Sequence, residues 1–233
     1  VRGHGHFGLV TTPEHTFYSK RIVKRRVPGA RHEMRTLVEN PYWPKAIDLC
    51  GKLWATPRTF PEASIPTCAG AAFSADFFYW VGRWVGDGSL NKGDVEICCG
   101  TDEVEEVAMR ELHAPLRNAD GERISFRLVD HKSSMLFSWG NADLARWLRA
   151  NFGDSCETKE LPPWCLSMQA EWRRALLEGY RDADGHRSVR NDTSSVSKKL
   201  SVGIRLLATS LGHAAGLYLA PGRNGEIEGR SFV

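Results

Sequence analysis

The stretch "WVGRWVGDG", residues 80–88, reads as the last turns of an amphipathic helix that closes on an aspartate and a glycine. An acid is out of place there. A helix C-terminus is the negative end of the backbone dipole, so a carboxylate at that point costs a few tenths to ~1 kcal/mol. The same arrangement recurs in "LEGYRDADG", residues 177–185, where Asp184 precedes Gly185, 97 residues (184 − 87) after Asp87. Each segment also carries small residues four apart, Gly82 with Gly86 and Gly179 with Ala183. Residues i and i+4 share a helix face, so two such helices can form a seam, backbone against backbone, in near-parallel register. Asp87 and Asp184 would then meet at one end of it. Two carboxylates together with the Gly86 and Ala183 carbonyls make an all-oxygen site for a hard divalent cation, which would offset the repulsion between the acids.

Working outward from the first segment, Phe77, Trp80, Val81, Trp84 and Val85 recur with helical period. Gly88 stands where a left-handed cap is expected. "VEICCG" follows as a strand, and "TDEVEEVAMRELHAPL" as a helix with Thr101 as N-cap. The strands "ISFRLVDHK" and "SSMLFSW" lead to the helix "NADLARWLRANFG", capped by Asn141 and stopped by Gly153. After "KELPPW" comes the second DG helix, then strands, a helix "KKLSVGIRLLATSLG" closed by Gly212, and further strands. The order repeats with a period of about a hundred residues, the mark of an internal duplication. Residues 1–68 instead read as short strands and turns rich in Pro. The expected class is therefore mixed α+β: residues 1–70 as a mostly β segment, then 71–233 as a duplicated helix–strands–helix–strands–helix unit whose second copy lacks the final helix, divided into 71–165 and 166–233.

At 233 residues, 42% hydrophobic and 25% charged, the chain has enough apolar material to bury a sizeable core. No run approaches the ~18 apolar residues of a membrane span and no apolar leader opens the chain, so an intracellular protein is expected. The six cysteines lack CxxC pairing and zinc-spaced histidines, and read as mostly buried free thiols. A net charge of +3 hides an uneven distribution: residues 1–70 and 187–233 are basic, and 71–186 acidic. The two basic blocks could face phosphate.

The residues quoted carry a resemblance. "FFYWVGRWVGDGSL" and "WRRALLEGYRDADGH" resemble the two dodecapeptide blocks of the LAGLIDADG homing endonucleases of the two-repeat, intein-borne type. The likeness continues in "KELPPWCL" and "TSSVSKKLSVGIRLLATSLG" and covers essentially all of 71–233. It implies that Asp87 and Asp184, the last acid of each block, hold the catalytic Mg²⁺, which Mn²⁺ or Ca²⁺ can replace. It also implies that Lys159, in "KELP", is a further catalytic group. A second family lysine, late in the second repeat, has no match up to Val233, so that role is expected to lie outside these residues or to be absent. Upstream, "GHFGLVTTPEHTFYSK" resembles the TxxH block of the Hint splicing fold, which puts Thr12 and His15 in a splicing remnant. Residue 1 is neither Cys nor Ser, so splicing by these residues alone is not expected.

The resemblance further implies a monomer with pseudo-twofold symmetry, a saddle whose strands lie in the major groove of double-stranded DNA at a long asymmetric site. Candidate base readers on the expected strands are Lys92, Arg127 and Lys132 in the first repeat, and Arg187, Arg190 and Arg223 in the second. The outcome would be a staggered double-strand cut. Two rivals stay open: a DNA-binding protein on the same scaffold that no longer cuts, and a splicing protein with a vestigial nuclease.

Overall fold

The structure, a computed structural model, describes residues 12–14, 19–26, 28, 34–38, 43–49, 54–55, 63–131, 134–185, 192–213, 215–217, 225–227 and 230–232. The fold is mixed α+β, and the chain forms two compact units, Phe60–Ala214 and Val1–Thr59 with Ala215–Val233. The larger unit thus begins at Phe60. The reason is that the approach to the first helix is already tied in: Pro66 O accepts from Trp147 Nε1 at 3.0 Å, Gly70 O accepts from Asn141 Nδ2 at 2.7 Å, and Cys68 lies in the core.

The smaller unit contains β1 (Lys20–Arg26), β2 (Met34–Val38), the short helix α1 (Ala46–Leu49) and β3 (Trp54–Ala55). β1 is the central strand of an antiparallel sheet ordered β2-β1-β3.

The larger unit opens with α2 (Ala75–Asp87), started by Ser74, whose Oγ accepts from Phe77 N at 3.1 Å. Nine consecutive residues of α2, Phe77–Val85, are buried, because the helix is packed on more than one side. Then follow β4 (Gly88–Asn91), β5 (Asp94–Gly100), α3 (Val104–His113), β6 (Phe126–His131), β7 (Ser134–Gly140) and α4 (Ala142–Phe152). After a 3₁₀ turn at Pro163–Leu166 come α5 (Ala170–Asp184) and α6 (Lys198–Ser210). A hairpin of β8 (Gly225–Ile227) and β9 (Arg230–Phe232) belongs to the smaller unit.

The four strands of the first repeat pair antiparallel in the order β4-β5-β7-β6. Val95, Ile97 and Cys99 of β5 alternate into the core, opposite Trp139, Phe137 and Met135 of β7. Beneath them lies an aromatic core: Trp80 meets Trp139 edge-on at 5.2 Å, and Phe73 and Phe77 stack at 5.1 Å. Each such pair adds ~0.5–1.5 kcal/mol beyond the area it buries. Among the described residues the second repeat has α5, an antiparallel bridge from Gly185 to Thr193, and α6. In the first repeat Gly88, 97 residues before Gly185, likewise pairs with β5, through Ile97.

Three local expectations are corrected. Gly88 is extended (φ −90°, ψ 158°), not left-handed, because α2 runs straight into β4; glycine is needed since a Cβ would lie 2.2 Å from Trp84 Cδ1. The N-cap of α3 is Glu103 rather than Thr101, with residues 101–103 spent in the turn out of β5. Lys92 is not on a strand. It and Gly93 are the two turn residues between β4 and β5, both left-handed (φ 49° and 100°), as a tight hairpin with the native strand twist requires.

A buried acid yields a pH prediction. Glu111 of α3 is fully buried, neither carboxylate oxygen closes a hydrogen bond among the described residues, and Arg123 comes only to 3.7 Å. Burial pushes its carboxyl up to about 7, against the pull of Arg123 and of the Leu116 backbone and Trp139 indole that face it. A raised folded pKa means that the stability present below the unfolded value of 4.5 is lost as pH climbs through about 7. Glu111→Gln is expected to raise the melting temperature by several degrees at pH 8 and leave it unchanged at pH 4.5; thermal denaturation at the two pH values checks this.

Candidate functional site

The site grows from the contact of α2 with α5. A Cβ placed on Gly82 would lie 2.2 Å from Leu176 O and 2.7 Å from Tyr180 N; one on Gly179 would lie 2.0 Å from Tyr79 O. One on Gly86 would lie 2.5 Å from Ala183 Cβ. Gly82 therefore faces Gly179 and Gly86 faces Ala183, and each pair is separated by the same 97 residues as the two aspartates. Equivalent positions meet in ascending order, so the helices run parallel and their C-termini arrive together. Only residues without bulk let backbones approach this closely.

Asp87 and Asp184 are brought together at that end. Gly86 carries the link, since a Cβ there would be 3.5 Å from Asp184 Cγ. Burial and then the charge of Asp184 push the Asp87 carboxyl up to about 6, with Glu103 adding to the rise and Arg83 and Lys159 opposing it. Asp184 is raised too, by burial, while the Tyr180 hydroxyl and Lys159 hold it down.

Lys159 reaches the same place from the loop after α4. It is 3% exposed, and its Nζ donates to Trp84 O at 2.8 Å, Gly88 O at 2.8 Å and Gly86 O at 3.5 Å. The ammonium thus closes the C-terminal carbonyls of α2, the position at which a cation is favoured. It also lies 4.7 Å from the centre of the Trp84 ring. Burial lowers it to about 8, and the two aspartates resist the fall. Lys159→Met would leave at least two carbonyls without this donor, and a loss of about 1–3 kcal/mol is expected in urea unfolding.

Two residues beside the aspartates were not singled out from the sequence. Arg83 and Tyr180 occupy equivalent positions (180 − 83 = 97), each one turn before its aspartate. Arg83 is 1% exposed; its Nη1 lies 3.4 Å from Asp182 O, and its Nε and Nη2 lack hydrogen-bond partners among the described residues. Burial and then the charge of Asp184 push the Tyr180 hydroxyl above its ordinary value. The period of the duplication was the available signal: any residue four before each DG aspartate faces the same end of the seam.

The remaining candidates are dispersed. Arg127 is exposed on β6, and its Nη2 is held at 2.5 Å by Asp94 of β5. Lys92 is exposed in its turn, and Thr12 is exposed beside Pro13 in the smaller unit. His15, Lys132, Arg187, Arg190 and Arg223 lie outside the described residues. Of the cysteines, Cys68, Cys99 and Cys165 are buried free thiols, Cys98 is half-buried and Cys156 exposed.

Whether a divalent cation suits this end is a matter of donor chemistry. Among the described residues no cluster of three or more His, Cys, Asp or Glu is arranged around a metal position, so any site is limited to two carboxylates supplemented by backbone oxygens. Two half-buried carboxylates, with the charge of Asp184 raising Asp87, are oxygen donors of the kind a hard cation takes. Among the described residues, no helix is long and apolar enough to cross a membrane.

No family model matches the chain. It is similar to the ATP-dependent DNA helicase Hel308 of Thermococcus kodakarensis, 28% identical over 156 residues, a stretch that is 59% of this chain and 13% of that protein. It is also similar to the DNA-directed RNA polymerase subunit Rpo1C of Methanocaldococcus jannaschii, 31% identical over 140 residues, 57% of this chain and 15% of that protein. The chain spans no more than about a seventh of the length of these curated relatives.

Proposed function

We propose that the chain is a site-specific DNA endonuclease of the LAGLIDADG type, carried within an intein, that makes a staggered double-strand cut in a long asymmetric target. The observation that carries the reading is the parallel seam of α2 and α5, which brings Asp87 and Asp184 to one end, where Lys159 reaches in from the loop after α4. A second support is the pattern of similarity. Stretches amounting to 59% and 57% of this chain match small parts of a DNA helicase and of a DNA-directed RNA polymerase subunit, two descriptions that favour a nucleic-acid partner.

In this reading Asp87 and Asp184 hold Mg²⁺, with Mn²⁺ or Ca²⁺ able to take the same oxygens, and the Gly86 and Ala183 carbonyls complete the oxygen set. The bound cation supplies Lewis-acid activation of a water for in-line attack on phosphorus and neutralises charge on the leaving 3′ oxygen. Lys159 adds positive charge beside the pair and fixes the end of the helix that presents Asp87. The sheet face opposite the core reads base edges. There Asp94 pre-orients Arg127, and Ser89 and Asn91 donate to Glu96 at 3.1 and 3.3 Å, leaving a face suited to hydrogen bonding rather than to phosphate attraction.

The test is a supercoiled plasmid carrying the coding sequence that flanks this chain, joined without the insert. Linear product with staggered ends, formed with Mg²⁺ and not with EDTA, is the expected result. Duplex binding in Ca²⁺ without cutting in Mg²⁺ or Mn²⁺ would leave only the DNA-binding reading, and the absence of both would overturn the proposal.

A further inference from the structure

The loop that carries Lys159 is pressed from the other repeat. Ser197, the N-cap of α6, is 2% exposed; its Oγ donates to Lys159 O at 2.6 Å and accepts from Leu200 N at 3.2 Å. Around this contact Lys199 pairs with Glu160 at 2.9 Å, and Gly203 packs so tightly on the same segment that a Cβ would lie 2.5 Å from Leu161 Cβ. On its other side the loop is pinned by Lys159 N to Ser155 O at 2.9 Å and Glu160 N to Phe152 O at 2.8 Å. One hydroxyl therefore joins the start of α6 to the backbone of the residue whose ammonium closes the end of α2.

We infer that Ser197 is a positioning residue: its hydroxyl sets the backbone of Lys159 so that the ammonium reaches the α2 carbonyls beside Asp87, coupling the second repeat to the site on the first. The catalytic consequence rests on the nuclease reading, but the positioning itself does not. The chain from Ser197 Oγ through Lys159 O to Lys159 Nζ is buried throughout. A buried backbone carbonyl deprived of its donor seeks another partner, and the residue that bears it moves.

The experiment uses the full chain with Ser197→Ala, Ser197→Cys, Ser197→Thr and, as a control elsewhere on α6, Ser201→Ala. Ser201 donates to Ser197 O at 3.0 Å rather than to the Lys159 backbone. The first readout is acylation of Lys159 by acetic anhydride without metal, followed by mass spectrometry. Labelling is expected to rise several-fold in Ser197→Ala and Ser197→Cys, which lack a strong donor, and to stay at the wild-type rate in Ser197→Thr and Ser201→Ala. The second readout is Mg²⁺-dependent cutting, expected to fall about tenfold in the same two variants while Ca²⁺-supported duplex binding holds. Threonine should restore both. Wild-type protection of Lys159 in both donor-less variants would overturn the inference. A labelling change in a protein whose wild type never cuts would uphold the positioning and remove the nuclease reading instead.

Discussion

Asp87→Asn and Asp184→Asn are each expected to lower double-strand cutting by about 10³-fold, the factor that ~4 kcal/mol of lost transition-state stabilisation represents. Both substitutions are isosteric, so duplex binding measured in Ca²⁺ should remain. The same changes should stabilise the metal-free fold. Each aspartate is raised by burial, and Asp87 also by the charge of Asp184, at a helix end whose dipole already opposes it. At pH 8, Asp87→Asn is expected to add about 1 kcal/mol to unfolding in EDTA, a figure discounted for partial solvent screening, and Asp184→Asn to shift it in the same direction. Urea melts and plasmid cutting on the same preparations check both halves. Loss of cutting accompanied by loss of stability would mark the aspartates as structural and sink the site.

The second large effect falls on the seam. Gly179→Ala is expected to destabilise the protein by about 3 kcal/mol or more, the upper range for overpacking, because its new methyl would meet the Tyr79 carbonyl, a backbone atom that cannot rotate away. In an exposed helix the same substitution would stabilise by up to ~1 kcal/mol, so the sign alone distinguishes a seam from a surface. Gly82→Ala, against Leu176 O, should behave alike. Where either variant still folds, the helices must part, and cutting is expected to fall far more than duplex binding. Denaturant melts with parallel binding and cleavage assays separate the two effects.

The pattern that pointed to the seam was already visible in residues 80–88 and 177–185, because period and spacing are one-dimensional properties. Helix starts set by local side-chain chemistry were equally legible: Asn141 Oδ1 accepts from Leu144 N at 3.0 Å, and α4 ends at Gly153 in the left-handed region (φ 85°). Errors arose where a neighbour in space set the outcome. Gly88 is extended because β4 must leave α2 at once to pair with β5, and no residue near it announces that pairing. Lys92 lies in a turn because Asn91 pairs with Asp94, a register set by the sheet.

The amino-acid sequence by itself determined the mixed α+β class and the two aspartates at the ends of helices 97 residues apart, since both follow from local preference and spacing. Only the tertiary structure decided that Lys159 spends its ammonium on the carbonyls of α2, that Ser197 of the other repeat holds Lys159 in place, and that Arg83 is buried one turn below Asp87. Those residues are 75, 38 and 99 positions from the partners they address (Trp84, Lys159 and Asp182), so their roles come from burial and close approach across the fold, which no local pattern encodes.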